Sequence, residues 1–169
     1  MIDGAKAEAT TLMNSLRLRW GTERFAVAGF SDYVDFAYKL YQPLTGDVEA
    51  VQTAINGLGL AHGGDAPEAY GRMMFESYSD PSVGWNDGAQ RYLIIFGDSY
   101  PHDPDAGRDG ELGTPDDIAL DEVLSTLTAQ EITLIYVADP GVVGDFSLLS
   151  QWDDWAKTVE GTTIRCTGP

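Results

Sequence analysis

AHGGDAPEAYGRMM, residues 61–74, and YLIIFGDSYPHD, residues 92–103, decide how this chain is read. In the first, Asp65 and Glu68 flank a proline where a helix is expected to begin; in the second, Asp98 ends an apolar, β-branched run. A short apolar run bounded by turn residues reads as a buried strand. Carboxylates gathered where the backbone changes course suggest a hard cation, because Mg²⁺ and Ca²⁺ take oxygen ligands.

Upstream of these stretches, Ile2, Ala5, Ala9, Leu12, Met13 and Leu16 recur at helical spacing and predict an amphipathic helix that stops before Trp20 and Gly21. ERFAVAGFSD, residues 23–32, reads as a strand buried on both faces. DFAYKLYQPL, residues 35–44, alternates Phe36, Tyr38 and Leu40 and ends near Pro43, the pattern of a half-buried or edge strand that forms a hairpin with the first. Asp47 is placed to cap a short helix reaching Leu58, and glycines at 57, 59, 63 and 64 separate it from a second helix expected from Pro67 to about Tyr78.

Downstream, SDPSVGWNDGAQ, residues 79–90, is rich in turn residues and leads into Arg91–Gly97, the clearest buried strand. After an acidic, glycine-rich loop, a helix is expected from near Pro115, with Ile118, Leu120, Val123, Leu124 and Leu127 on one face. Ile132–Ala138 reads as a buried strand, Phe146–Val159 as a helix whose Trp152 and Trp155 pack on the sheet, and Thr162–Thr167 as a short final strand. Strands alternating with helices predict an α/β, Rossmann-like doubly wound fold: a mostly parallel sheet, helices on both faces and one antiparallel edge strand. Its binding crevice lies beyond the carboxyl ends of the strands, where Asp98 stands.

A chain of 169 residues, 43% hydrophobic, supports one domain with a sizeable core. Twenty-seven acids against ten bases give a formal charge of −17, which repels phosphate backbones and anionic lipid and favours cations or basic partners. Nucleic-acid binding is therefore not expected. No apolar run approaches bilayer length, so membrane insertion is not expected either. Cys166 is solitary, which excludes an internal disulfide and a cysteine metal cluster; a small apolar residue in the last strand is its simplest role.

The GGDAPEA and FGDS loops, set in this order of elements, resemble the von Willebrand factor A family, including its integrin I-like members. The family's metal-ion-dependent adhesion site is built from three loops, and its first loop, an Asp-x-Ser-x-Ser motif after the first strand, has no match here. The resemblance therefore implies a single domain over residues 1–169 that is incomplete at its amino end, with the helix at residues 1–16 standing where the first strand would already have passed. It implies a divalent-cation-dependent, adhesion-type module, extracellular or at a cell surface, with no catalytic role. By that resemblance Asp98 and Glu68 are metal ligands and Asp65 serves an adjacent ion or outer contact. The cation is Mg²⁺, or Mn²⁺ or Ca²⁺, held weakly by this chain alone because the first loop's ligands are missing. The partner is a protein or surface ligand offering a carboxylate to the ion, and a partner chain or upstream segment is expected to complete the sheet. A competing role for Asp65 and Glu68 is capping at a helix amino terminus.

HDPDAGRDGELGTPDD, residues 102–117, brings Asp103, Asp105, Asp109 and Glu111 close in sequence, with Gly107 and Gly110 to permit tight turns. Alternating oxygens on a flexible loop suit Ca²⁺, although the spacing is not that of an EF-hand. The competing reading is a solvated acidic loop in which Asp116 and Asp117 cap the following helix. Two hydrolase readings are weaker. FGDSY resembles the nucleophile block of GDSL-type hydrolases with Ser99 as nucleophile, but that family's late Asp-x-x-His is missing. His62, Asp65, Asp98 and His102 as a catalytic metal site have no specific spacing. A purely structural interaction module with a non-functional metal site is the main alternative to the adhesion reading.

Overall fold

Two parallel strands form the backbone of the molecule. In the computed structural model, which describes residues 2–61, 64 and 66–165, β4 (Arg91–Gly97) pairs with β6 (Ile132–Ala138) in full register, from Arg91 opposite Ile132 to Gly97 opposite Ala138. β7 (Thr162–Arg165) extends the same parallel sheet on the far side of β6. Both long strands have the bounds expected from their apolar runs, but their burial differs. In β6 Ile132, Leu134, Tyr136, Val137 and Ala138 are buried, whereas in β4 only Ile95 is. The reason is position: β6 lies between two neighbours, while β4 is an edge strand.

The predicted hairpin forms from β1 (Phe25–Gly29) and β2 (Lys39–Thr45), antiparallel, with register irregularities on either side of Val27. It is a separate two-stranded sheet, and β1 is not paired with β4. The expectation that residues 23–32 are buried on both faces is not met: Val27 is buried, but Ala26 and Ala28 are exposed because no strand lies beyond β1. Residues 35–38 belong to the preceding turn region, so β2 begins at Lys39.

α1 (Ile2–Arg19) and α2 (Val48–Gly57) pack with the hairpin through Met13, Val27, Val51 and Ile55. Asp47 caps α2 as expected, its side chain accepting from Glu49 and Ala50 N–H. α3 (Tyr70–Ser79), α4 (Leu120–Ala129) and α5 (Phe146–Thr158) share a second, larger cluster with Ile95, Leu134 and Tyr136. Val27 joins the first cluster, and Phe30, just past the end of β1, joins the second. The five helices are thus divided between two clusters, two with the hairpin and three with the parallel sheet.

Two helix starts differ from expectation. Pro67–Glu68 is not the first turn of a helix but a short strand, β3, parallel to β5 (Tyr100–Pro101), and the helix begins at Tyr70. The fourth helix starts at Leu120, five residues beyond Pro115, because Asp105 and Ile118 exchange backbone bonds of 2.8 Å that hold residue 118 extended. The final strand ends at Arg165 within the described residues, and Cys166 lies outside them.

Candidate functional site

β4 ends at Gly97, and the chain turns through Asp98 and Ser99 under two aromatic clamps. The Tyr70 hydroxyl accepts the N–H of Asp98 at 3.0 Å and of Ser99 at 3.2 Å, and Trp152 Nε1 donates to the Ser99 carbonyl at 3.0 Å. Tyr70 is itself fixed by edge contact with Trp152 at 5.0 Å and by Phe30 at 4.7 Å, and Trp152 stacks on Tyr136 at 4.0 Å. Burial pushes the Tyr70 phenol up to about 12, so it stays a neutral acceptor here. Position 97 must be glycine in this arrangement, because a Cβ there would collide with the Tyr70 hydroxyl.

Asp98 stands at this carboxyl end beside a second carboxylate. Asp139 follows β6, its N–H donating to the Gly97 carbonyl at 2.9 Å. Burial, and then the negative charge of Asp139, push the Asp98 carboxyl above the ordinary carboxylate range. Two carboxylates in one partly buried place favour a shared cation or proton.

The loop carrying Glu68 runs alongside. Ser99 Oγ donates to the Ala66 carbonyl at 2.8 Å, Pro67 and Glu68 pair with Tyr100 and Pro101, and His102 N–H donates to the Glu68 carbonyl at 3.1 Å. Residues 66–68 and 98–102 are thus side by side at the sheet's mouth. Asp32, 6% exposed, anchors the loop from β1's side: it accepts from Tyr33 N–H at 2.7 Å and Gly64 N–H at 2.8 Å, and lies 3.1 Å from His102 Nε2. Burial opposes ionisation of Asp32, but these three partners outweigh it and hold the carboxyl below its usual range.

Asp65 and His62 lie outside the described residues. Among the described residues, no group of three or more His, Cys, Asp or Glu side chains is disposed to hold a metal ion. Asp98, with Asp139 beside it, supplies the one or two carboxylates that Mg²⁺ commonly takes when water fills the rest of its shell, and Glu68 stands on the adjoining segment. The donor chemistry fits a loosely held ion.

The acidic loop uses its carboxylates internally. Asp103 accepts from Leu120 N–H at 3.1 Å and so caps α4, the role expected of Asp116 or Asp117. Asp105 is fully buried, bonded to the Tyr33 hydroxyl and to Arg72 N–H at 3.0 Å, and burial raises its carboxyl. Asp109 closes a local turn on Glu111 N–H at 2.9 Å. Asp116, held down to about 2 first by the Thr114 hydroxyl and then by Arg108 N–H, closes the loop across Gly107, whose φ of 65° suits glycine. Beneath it Glu76, 3% exposed, receives Arg72 Nε and Arg108 Nε, each at 2.8 Å, and Arg108 Nη2 at 2.9 Å. Asp103, Asp105 and Asp109 bond different partners, and with Glu111 they form no metal-holding group of three or more among the described residues.

Three residues of the mouth are not evident from the chain's motifs. Tyr70 reads as an ordinary helix residue. Asp32 and Asp139 carry one usable signal: like Asp98, each follows an apolar run at a strand's end.

No protein-family model matches the chain, and no curated protein sequence matches it. Solved structures do. The VWA domain of SpRpn10 superposes with a TM-score of 0.59 at 13% identity, over 98% of this chain and 77% of that one. The conserved hypothetical protein BatB from Bacteroides thetaiotaomicron gives a TM-score of 0.60 at 14% identity, over 97% of this chain and 80% of that one. The chain has a von Willebrand factor A-like fold.

Proposed function

We propose that this chain is a protein-interaction module of the von Willebrand factor A type whose acidic mouth engages its partner through a divalent cation. A protein-interaction role accords with the fold. The cation and the adhesion-type chemistry are our reading, and one observation supports it most: Asp98, raised by burial and by Asp139, lies beside the strand segment that carries Glu68. In this reading Asp98 and Glu68 ligate Mg²⁺, Mn²⁺ or Ca²⁺, Asp65 assists, and a carboxylate of a protein or surface ligand fills the open position, in an extracellular or cell-surface setting. With so few protein ligands the ion is held weakly. Asp103, Asp105 and Asp109 are better explained as loop braces than as part of a Ca²⁺ site with Glu111, since their described bonds run to different partners.

Catalysis is not part of the proposal. The Ser99 hydroxyl donates to the Ala66 carbonyl, and His102 Nε2 faces Asp32, so the bonds at hand favour a braced turn over a nucleophile and its base. The second reading, a structural interaction module with a non-functional metal site, draws on the same lack of a three-residue ligand group among the described residues.

Paramagnetic broadening of amide signals by Mn²⁺ separates the two. The cation reading expects broadening centred on residues 66–68 and 98–99 that is lost in Asp98→Ala and competed by Mg²⁺. Broadening spread evenly over the acidic surface, or centred on residues 103–111, rejects that reading in favour of the structural module.

A further inference from the structure

A cavity of about 410 Å³ opens where the segment joining β1 to β2, the helix α3 and the acidic loop meet. Tyr33, Phe36 and Tyr38 line it from the segment, Arg72 from α3, and Arg108 and Asp109 from the loop. Neither Asp98 nor Glu68 is among the lining residues, so this place is separate from the acidic mouth.

The aromatic walls are held in place. The Tyr33 hydroxyl bonds Asp105 and the Gly107 carbonyl, and the Tyr38 hydroxyl donates to Asp80 at 3.3 Å, so both rings are anchored at their polar tips. All three rings are half-buried. Preformed hollows that combine aromatic walls with a few placed polar groups are the usual form of a small-ligand site.

The polar group is also placed in advance. Arg108 Nε and Nη2 grip Glu76 at 2.8 and 2.9 Å, and the guanidinium lies over the Phe75 ring at 5.4 Å. A guanidinium offers five N–H donors in a rigid fork. Nη2 also reaches Ser79 Oγ at 3.3 Å, but Nη1 makes no hydrogen bond among the described residues. An oriented cation with an unused donor pair calls for an acceptor, and a charged oxygen gives the stronger bond. Asp80, Asp105 and Asp109 stand close by, which disfavours a doubly charged phosphate and leaves a single carboxylate as the better match.

We propose that this cavity binds a carboxylate carried on an aromatic group. The carboxylate accepts from Arg108 Nη1, and the ring lies among Tyr33, Phe36 and Tyr38. Such a group is supplied by a free aromatic acid or by a polypeptide that ends in an aromatic residue. The inference goes beyond the interaction-module reading and involves no cation.

The test uses the whole chain with EDTA throughout and follows its amide signals. Phenylacetate is expected to bind in the millimolar range and to move the signals of residues 33–38 and 107–110, while neutral phenylacetamide binds at least tenfold more weakly. Arg108→Lys keeps the charge but loses the fork and should weaken phenylacetate by about tenfold. Phe36→Ala leaves the Glu76 network untouched and should weaken it by about fivefold. An acetylated Gly-Gly-Gly-Phe peptide with a free carboxyl terminus identifies the source: binding tighter than phenylacetate assigns the site to a chain terminus, and weaker binding assigns it to a free acid. Three results overturn the proposal: phenylacetamide binding as well as phenylacetate, signals moving at residues 66–68 and 98–99 instead, or both variants binding as tightly as the parent. With EDTA present, failure of the Mn²⁺ experiment leaves this result standing, and failure here leaves the cation reading intact.

Discussion

Asp98 is held at a cost, and that cost has a pH signature. Its carboxyl titrates above its unfolded value because burial and Asp139 both disfavour the charge. A group whose folded pKa is raised binds its proton more tightly in the native state, so stability declines as pH rises through the window between the unfolded and folded values, and the deficit persists above it. Asp98→Asn should therefore raise Tm at pH 7, with the gain vanishing below the ordinary carboxylate range; a variant equally stable or less stable than the parent at pH 7 contradicts this. Glu76 shows the reverse balance. Burial alone would raise it, but the Arg108 bonds and the charges of Arg72 and Arg108 outweigh burial and hold the carboxyl low. Removing it leaves Arg72 with the Gly107 carbonyl as its remaining partner in a largely buried place, while Arg108, with its side chain 56% exposed, recovers part of its hydration. Glu76→Ala should cost about 3 kcal/mol in urea unfolding, near the low end for breaking a buried pair; a loss under about 1 kcal/mol would make the network a surface feature.

Elements place the mouth, and aromatic side chains from two helices lock it. Tyr70 opens α3 and Trp152 lies within α5, yet both bond the turn that follows β4. Tyr70→Phe removes one oxygen that serves two partly buried amides, so it should destabilise the fold by about 1–2 kcal/mol and speed exchange at Asp98 and Ser99 before any other amide of the region. Uniform acceleration across the chain would mean the hydroxyl has no local role. The elements that were legible in the sequence are those whose signal is local. β4 and β6 are continuous apolar runs, and α2 carries its own cap in Asp47. Pro67 is ambiguous in sequence because proline at a first helical turn and proline in a short edge strand look alike, and only the pairing with Tyr100 separates them. The start of α4 is set by Asp105, thirteen residues earlier than Ile118, and by the cap from Asp103. Asp98 was legible as a strand-end acid, whereas its neighbour Asp139 and the clamp from Tyr70 arise from contacts between distant segments.

At the scale of the whole molecule the apolar interior is divided. The larger cluster joins α3, α4 and α5 to β4 and β6, whereas the smaller has four buried members, Met13, Val27, Val51 and Ile55, with partly buried side chains packed around them. The half built on the smaller cluster is tied to the other by the Arg24–Asn86 bond, the Ser31–Ala69 bond and the packing of Phe30 and Tyr38 on the larger cluster. No ladder of strand bonds links the halves among the described residues. A cooperative unit needs dense contacts throughout, so opening of the first half is expected at a lower free energy than global unfolding. Native-state amide exchange should show residues 25–29 and 39–45 opening before residues 132–138. In urea, helical circular dichroism should begin to fall before the emission of Trp152 and Trp155, both of which lie with the larger cluster. Coincident transitions, with one opening free energy for β1, β2 and β6, would show that the end ties alone weld the halves into a single cooperative body.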